Sequence, residues 1–407
     1  MSLLIRNARL VTMAGSPVPR RGEDMHAIGV IDRADVLVRG STIEAVSQGG
    51  GIRPPAGAQM IDARGRVLLP GFVDCHTHAC WAGSRLDEWE ARLRGETYLD
   101  TLRRGSGIMT TVRAVRSASE RELADGLVER LDRVLRSGTT TIEVKSGYGL
   151  TTADEMKMLR AIRLAGEAWK GTVVPTACIG HAIDPDVPRE SFVRRTIKET
   201  LPAISDEFPG IAIDAYCESG AWTVEECLRV FDAAMARGHP CRVHADQFTR
   251  LGMTSEAVRR RFASVDHLEA SVSEDAQALA ASVTAAVLLP CSGFHLDGRY
   301  ADGRAVIDAG GVVALATNWN PGSAPCGSMP MAVALGVRMC GLTVGEAVCA
   351  ATVNAACVLG LRDRGIVSPG MRADLVLLRH TDERTLAWEF GMEAADLVVC
   401  GGLVLES

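Results

Sequence analysis

VLLPGFVDCHTH, residues 67–78, is a continuous apolar run broken by Pro70-Gly71 and ending in two histidines one residue apart. On an extended chain residues two apart point to the same side, so His76 and His78 can face one ion. Seven further runs share this texture: TTTIEVKSG (139–147), TVVPTACIGHA (172–182), IAIDAYCES (211–219), CRVHADQF (241–248), FASVDHLEA (262–270), TAAVLLPCSG (284–293) and VVALATNWN (312–320). Mostly continuous rather than alternating apolar character is what parallel strands covered on both faces require. The segments between them, such as ERELADGLVERLDRVLRSG and TADEMKMLRAIRLAGEAWK, carry apolar residues at three- and four-residue spacing and read as crossover helices. Eight such units predict an α/β fold, a (β/α)8 TIM barrel. No GxGxxG or GxxxxGK[ST] phosphate loop points to an open doubly wound sheet.

The two ends differ from this middle. LLIRNARLVT, DVLVRGSTIEAVS and MIDARGRVLLPG, and later RADLVLLRH and DLVVCGGLVLES, are short β-type runs separated by Gly, Pro and Ser. Neither end holds enough strands for a stable sheet. The expectation is one composite β-sandwich domain from residues 1–65 and 366–407, around a barrel at 66–365. The 407 residues are 47% hydrophobic and 23% charged, which excludes a disordered or low-complexity chain. A net charge of −6 with scattered basic residues argues against nucleic acid or an anionic membrane as partner. The opening MSLLIRNARLVTM has too short an apolar stretch to be expected as a secretion signal, no apolar run approaches the ~20 residues that span a bilayer, and no CxxC occurs among the 12 cysteines. The protein is expected to be cytoplasmic, with reduced thiols.

In a (β/α)8 barrel the carboxyl ends of the strands converge on one mouth. Six of the nine histidines fall at those ends or just beyond: His76, His78, His181, His244, His267 and His295. Surface histidines would scatter instead. A bare HxH also arises by chance on exposed strands, but this one sits on the first barrel strand. His244 adds a third imidazole, giving a three-histidine set of the kind that holds Zn2+ and brings the pKa of water to about 7. Lys145 and Glu218 are as readily explained by ion pairing near the mouth.

LPGFVDCHTH, KSGYGL (145–150), GHA, HADQ, DHLE and ATNWNPG occur in an order that resembles the amidohydrolase superfamily, and AGSR (82–85), GETY (95–98), KSGYGL and NPG (320–322) resemble its imidazolonepropionase subgroup. The resemblance runs over nearly the whole chain. It implies one divalent metal per chain, usually zinc with iron or manganese as alternatives, and hydrolysis of a C–N bond in a five-membered nitrogen heterocycle bearing a propionate arm. It places the metal on His76, His78, His244 and an aspartate at position 318. It places a small anionic substrate on Arg85, Tyr98, Tyr148, His181, Asn320 and Gly322, with His267 and Gln247 beside the reacting centre. It also implies a homodimer. Arg85 suits the carboxylate as a bidentate fork, although an arginine in a loop is more often a solvated charge. Strand 4 offers Tyr216-Cys217-Glu218 where binuclear relatives carry a bridging lysine, which disfavours a second metal.

Position 318 departs from the pattern: it is Asn. An amide oxygen can ligate a metal, but an amide cannot relay a proton from the attacking water to the leaving nitrogen. The rest of the set is intact, which points to an engineered aspartate-to-asparagine change, against a naturally inactive binder or an enzyme with another base. Cys80-Trp81, residues 105–108 and CSGFH (291–295) also depart and are expected to line the ring end of the substrate. An alternative is therefore a desulfhydrase or hydrolase of 3-(5-oxo-2-thioxoimidazolidin-4-yl)propionate, as in ergothioneine breakdown. A second alternative is a non-catalytic metal-dependent binder of a small heterocycle.

Overall fold

The computed structural model describes residues 2–95 and 107–405. Its strands are β1 (Ser2–Val11), β2 (Val30–Arg39), β3 (Thr42–Gln48), β4 (Gln59–Asp62), β5 (Val67–Pro70), β6 (Phe72–Asp74), β7 (Thr139–Lys145), β8 (Thr172–Gly180), β9 (Ala212–Cys217), β10 (Arg242–Ala245), β11 (Ser264–His267), β12 (Ala285–Leu288), β13 (Val313–Leu315), β14 (Leu375–Leu378), β15 (Ala395–Cys400) and β16 (Leu403–Leu405). Strands β6 to β13 pair in sequential order and in parallel, the eight expected. Closure between first and last is irregular. It uses residues beyond β6 and β13: the amide of Asn318 donates to the carbonyl of His76 over 3.0 Å, and that of His78 to Trp319 over 2.9 Å. The first histidine pair and Asn318 are thus stitched together by the same seam.

The crossover helices follow their local signals. Glu120–Arg136 opens on a capping box of Ser119 and Glu122 and buries Leu123, Leu127, Leu131 and Val134 along one face, as a 3.6-residue period dictates. Val224–Met235 starts in the same way on Thr223 and Glu226.

Both chain ends build the second sheet, in the order β16-β15-β14-β5-β1-β2-β3, with β4 beside β1. Strand alternation gives it two jobs. Leu68, Leu375, Leu377 and Val399 enter a core that the sheet shares with Leu3, Ile5, Val36 and Val38. Val67, Leu69, Val376, Leu378 and Val398 turn the other way and join the main core under the barrel. Pro70-Gly71 lies at the step between β5 of this sheet and β6 of the barrel. No helix among the described residues is long and apolar enough to cross a membrane.

Candidate metal centre

His76 and His78 follow β6, His244 lies on β10, and one ring nitrogen from each comes within 4.8 Å of the other two. Nε2 of His78 is 3.0 Å from Nε2 of His244, a separation suited to two ligands sharing an ion at about 2.0–2.1 Å from each. Two of the outer nitrogens are held by carboxylates, while Nδ1 of His78 is buried without a partner. His76 Nδ1 is 2.5 Å from Asp266 Oδ2, and His244 Nδ1 is 3.0 Å from Asp214 Oδ1. Such partners set the tautomer and aim the opposite nitrogen inward. Nε2 of His76 is buried without a partner, and so is Oδ1 of Asn318, whose amide nitrogen donates to Ser292 Oγ over 2.7 Å. Burial, with the neighbouring cations and imidazoles, drives His76 and His78 well below the ordinary histidine range. Neutral imidazoles with inward lone pairs, beside an orphaned amide oxygen, fit a divalent cation.

Cys178 also converges with Asp214 and His244. Burial pushes its thiol well up, and Asp214 is already committed to Lys145 and His244. Lys145 Nζ lies 2.6 Å from Glu143 and 2.7 Å from Asp214, fully buried. Arg242 spans Glu143 and Asp266 at 3.3 and 2.7 Å. Glu218 accepts from the amides of Phe248 and Thr249 and so supports the loop after β10. Both Lys145 and Glu218 are structural here. The acids and Arg242 escaped the sequence reading, although a charge inside an otherwise apolar strand (IAIDAY, SVDH) is the mark that betrays them.

Above the histidines is a cavity of about 200 Å³, lined among the described residues by His78, Arg85, Tyr148, His181, His244, Gln247, His267, Asn318, Asn320 and Gly322. His76 is fully buried and is not among the lining residues. Tyr98 lies outside the described residues. His181 stacks on His78, 4.5 Å between centroids, and its Nδ1 is 3.0 Å from the carbonyl of Gly147, leaving Nε2 toward the cavity. Burial, then His244, brings its pKa down to about 3. Gly147 has φ +117°, and a Cβ there would stand 2.9 Å from His181 Nδ1, so KSGYGL needs glycine at this position. Glu155 accepts from the amides of Gly147, Gly149 and Leu150 and holds Tyr148 over the site. His267 has φ +91°, and its Nδ1 is 3.1 Å from Glu269 Oε1. Gln247 Oε1 accepts from the hydroxyl of Tyr216 over 2.8 Å. The Asn320 carboxamide is taken up by its own turn: Oδ1 accepts from the amides of Gly322 and Ser323, and Nδ2 donates to the carbonyl of Asn318.

Three residues expected at the ring end lie elsewhere. Cys80 and Cys291 are buried behind the wall, and Trp81 packs edge-on against Trp319 at 5.5 Å, beneath Arg130. Side-chain direction at a strand end depends on how the barrel closes, which local sequence does not reveal. His295 also departs from expectation: its Nε2 stands 3.1 Å from Arg92. Ile108 does line the cavity.

The amidohydrolase family pattern matches residues 67–404. The imidazolonepropionase of Deinococcus radiodurans is 44% identical over 389 residues, 96% of each chain, and that of Herpetosiphon aurantiacus 41% over 99% of this chain and 96% of its own. Among solved structures, the 5-methylcytosine deaminase of Klebsiella pneumoniae liganded with 5-fluorocytosine superposes with a TM-score of 0.76 at 18% identity, over 100% of this chain and 98% of that one. The atrazine chlorohydrolase of Arthrobacter aurescens TC1 complexed with zinc gives 0.69 at 19%, over 100% and 95%. At such identities these two speak for the fold alone. With near-full-length relatives above 40% identity and the family pattern across most of its length, this chain belongs to the amidohydrolase family and, within it, resembles the imidazolonepropionases.

Proposed function

We propose that the protein is a metal-dependent hydrolase of a five-membered nitrogen heterocycle carrying a propionate arm, an imidazolonepropionase-like enzyme of histidine breakdown. The observation that carries the reading is the convergence of the His76, His78 and His244 rings with an unpartnered, buried Asn318 Oδ1. These four would hold one divalent cation, with zinc favoured by the nitrogen-rich set and iron or manganese as alternatives. Bound there, the ion would activate water and polarise the ring carbonyl. The chain's own groups do the rest. Arg85 takes the arm, Tyr98 and Tyr148 flank the ring, and His181 Nε2 hydrogen-bonds it. His267 Nε2 and Gln247 face the reacting carbon. Asn320, through its carboxamide, shapes the turn that presents Gly322.

Asn318 has no proton to take up and release, so this chain is an enzyme with its relay removed. The aspartate-to-asparagine change fits an engineered substitution, since every other member is present. Two further parts of the reading are a homodimer, for which Trp388, Phe390 and Met392, 77%, 58% and 68% exposed, offer apolar surface, and a cytoplasmic location, with all 12 cysteines free. The division into a composite β-domain (1–65 with 366–407) and a barrel (66–365) belongs to it too.

The test is Asn318→Asp in zinc-loaded protein, with 4-imidazolone-5-propionate and its 2-thioxo analogue followed by ring absorbance. The expected result is a gain of about 10²- to 10⁴-fold on the imidazolone, the usual worth of a positioned acid–base group. A preference for the thioxo ring would favour desulfhydrolysis, a reading weakened by Cys80, Trp81 and Cys291 standing outside the cavity. Binding of either ring without turnover in the aspartate form would make the protein a binder and overturn the proposal.

A further inference from the structure

Arg85 and Arg92 are seven residues apart, at the start and near the end of the helix Leu86–Leu93, a spacing that puts them on one helical face. Both reach Gly322. A Cβ at Gly322 would stand 3.0 Å from Arg85 Nη1, and Arg92 Nη2 lies 3.3 Å from the Gly322 carbonyl. The cavity lining among the described residues includes one carboxylate, Glu88, and it is fully committed. Its Oε2 accepts from Arg85 Nε over 2.6 Å, and its Oε1 from the amide of Gly107 and the hydroxyl of Thr110 at 3.0 and 2.9 Å. Among the described residues Arg92 has neutral hydrogen-bond partners, the Gly322 carbonyl and His295 Nε2 at 3.1 Å. For the guanidinium to donate to that nitrogen, the His295 ring must be neutral. Burial and Arg92 both hold it so, below the ordinary histidine range.

Among the described residues, two guanidiniums stand against one carboxylate on this part of the cavity wall, an excess of positive charge beside Gly322. We propose that Arg92 is a further substrate-binding residue, which with Arg85 grips the substrate carboxylate from two sides of Gly322, and that His295 is its positioning residue. This rests on the reading that the substrate carries a carboxylate arm. A carboxylate offers two oxygens with about four lone-pair sites, so it can satisfy two forks where a neutral amide cannot. His295 acts as an acceptor that turns Arg92 toward the arm, so CSGFH tunes the anionic end of the ligand.

The experiment is calorimetric binding of 3-(1H-imidazol-4-yl)propanoate and of its primary carboxamide to zinc-loaded full-length protein, in the parent and in Arg92→Gln, Arg92→Lys, Arg85→Gln, His295→Gln and His295→Phe. The parent should prefer the carboxylate. Arg92→Gln should weaken the carboxylate about ten- to hundredfold, as expected for losing a charged hydrogen bond, and leave the carboxamide unchanged. Arg92→Lys should recover part of the loss, which also controls for misfolding. His295→Gln keeps an acceptor and should retain the preference, whereas His295→Phe should erode it. If Arg92→Gln changes neither ligand, or both equally, while Arg85→Gln abolishes the preference, Arg85 holds the arm alone and the inference is overturned. If the parent itself does not distinguish the two ligands, the propionate reading fails and this inference falls with it.

Discussion

Asp266 Oδ2 lies 2.5 Å from Nδ1 of His76 and takes Arg242 Nη2 at 2.7 Å, so one carboxylate both orients a candidate ligand and anchors a buried cation. The pairing spans 190 residues and leaves His76 Nε2 as the ring's only free nitrogen. Losing such a partner costs metal affinity without removing a ligand. Asp266→Asn should weaken zinc binding about 10- to 100-fold, read by competition with a chromophoric chelator. Stripping zinc from the parent should lower its melting temperature, and adding it back should restore it, because an ion bound only by the folded state stabilises by mass action. Equal zinc affinity in the Asn variant would show that Asp266 serves Arg242 and Ser264 and not the metal ligand.

Lys145 tests the network beneath. Its ammonium is fully buried between Glu143 and Asp214 at 2.6 and 2.7 Å. Lys145→Met removes one buried charge and leaves Glu143 with Arg242 and Asp214 with His244 as their remaining ionisable partners in low dielectric. The expected loss is about 3–5 kcal/mol of unfolding free energy, measured by urea denaturation with an unchanged slope. Exposed pairs such as Arg121–Asp125 should cost about 0–1 kcal/mol when broken.

Glu155 links a helix to the loop that carries Tyr148. It receives three backbone amides, from Gly147, Gly149 and Leu150. Glu155→Leu leaves those donors buried and unpaired, which should cost about 1–3 kcal/mol for each that finds no water. The loop should loosen as a unit. Amide exchange at residues 147–150 is expected to accelerate and imidazole-propionate binding to weaken, and unchanged protection there would count against the role.

His295 supplies a pH dependence. Its folded-state pKa is depressed, by burial first and by Arg92 second. Below about pH 6.5 the unfolded chain takes up a proton at this ring that the folded protein resists, so the unfolded state binds more protons and stability falls as the pH is lowered toward the folded value. His295→Gln deletes this one contribution. The difference in unfolding midpoint between parent and variant should therefore shift in the variant's favour from pH 7 to pH 5, and a constant difference would show that the ring titrates alike in both states.

How much could be read in advance varies by element. The eight runs with buried-strand texture did form eight sequential parallel strands, because continuous apolar character reports two covered faces. The run at 71–78 became a strand only through Asp74, with His76–His78 extended beyond it, since the first and last strands meet there at an irregular seam. Residues 67–70 entered the composite sheet, and strand alternation there divides Leu68 from Val67 and Leu69 between two cores. Tyr98 lies outside the described residues.

Local sequence determined that His76, His78 and His244 stand at strand ends. A period of two and the parallel order suffice for that, since each is a property of a few neighbouring residues. Only the tertiary structure decided that Asp266 and Asp214 back those rings, that Cys80, Trp81 and Cys291 turn away from the cavity, and that Arg92 meets His295, 203 positions on. These follow from how the barrel twists and closes. Closure is set by the packing of all eight strands at once, so no single segment encodes which side chain arrives opposite it.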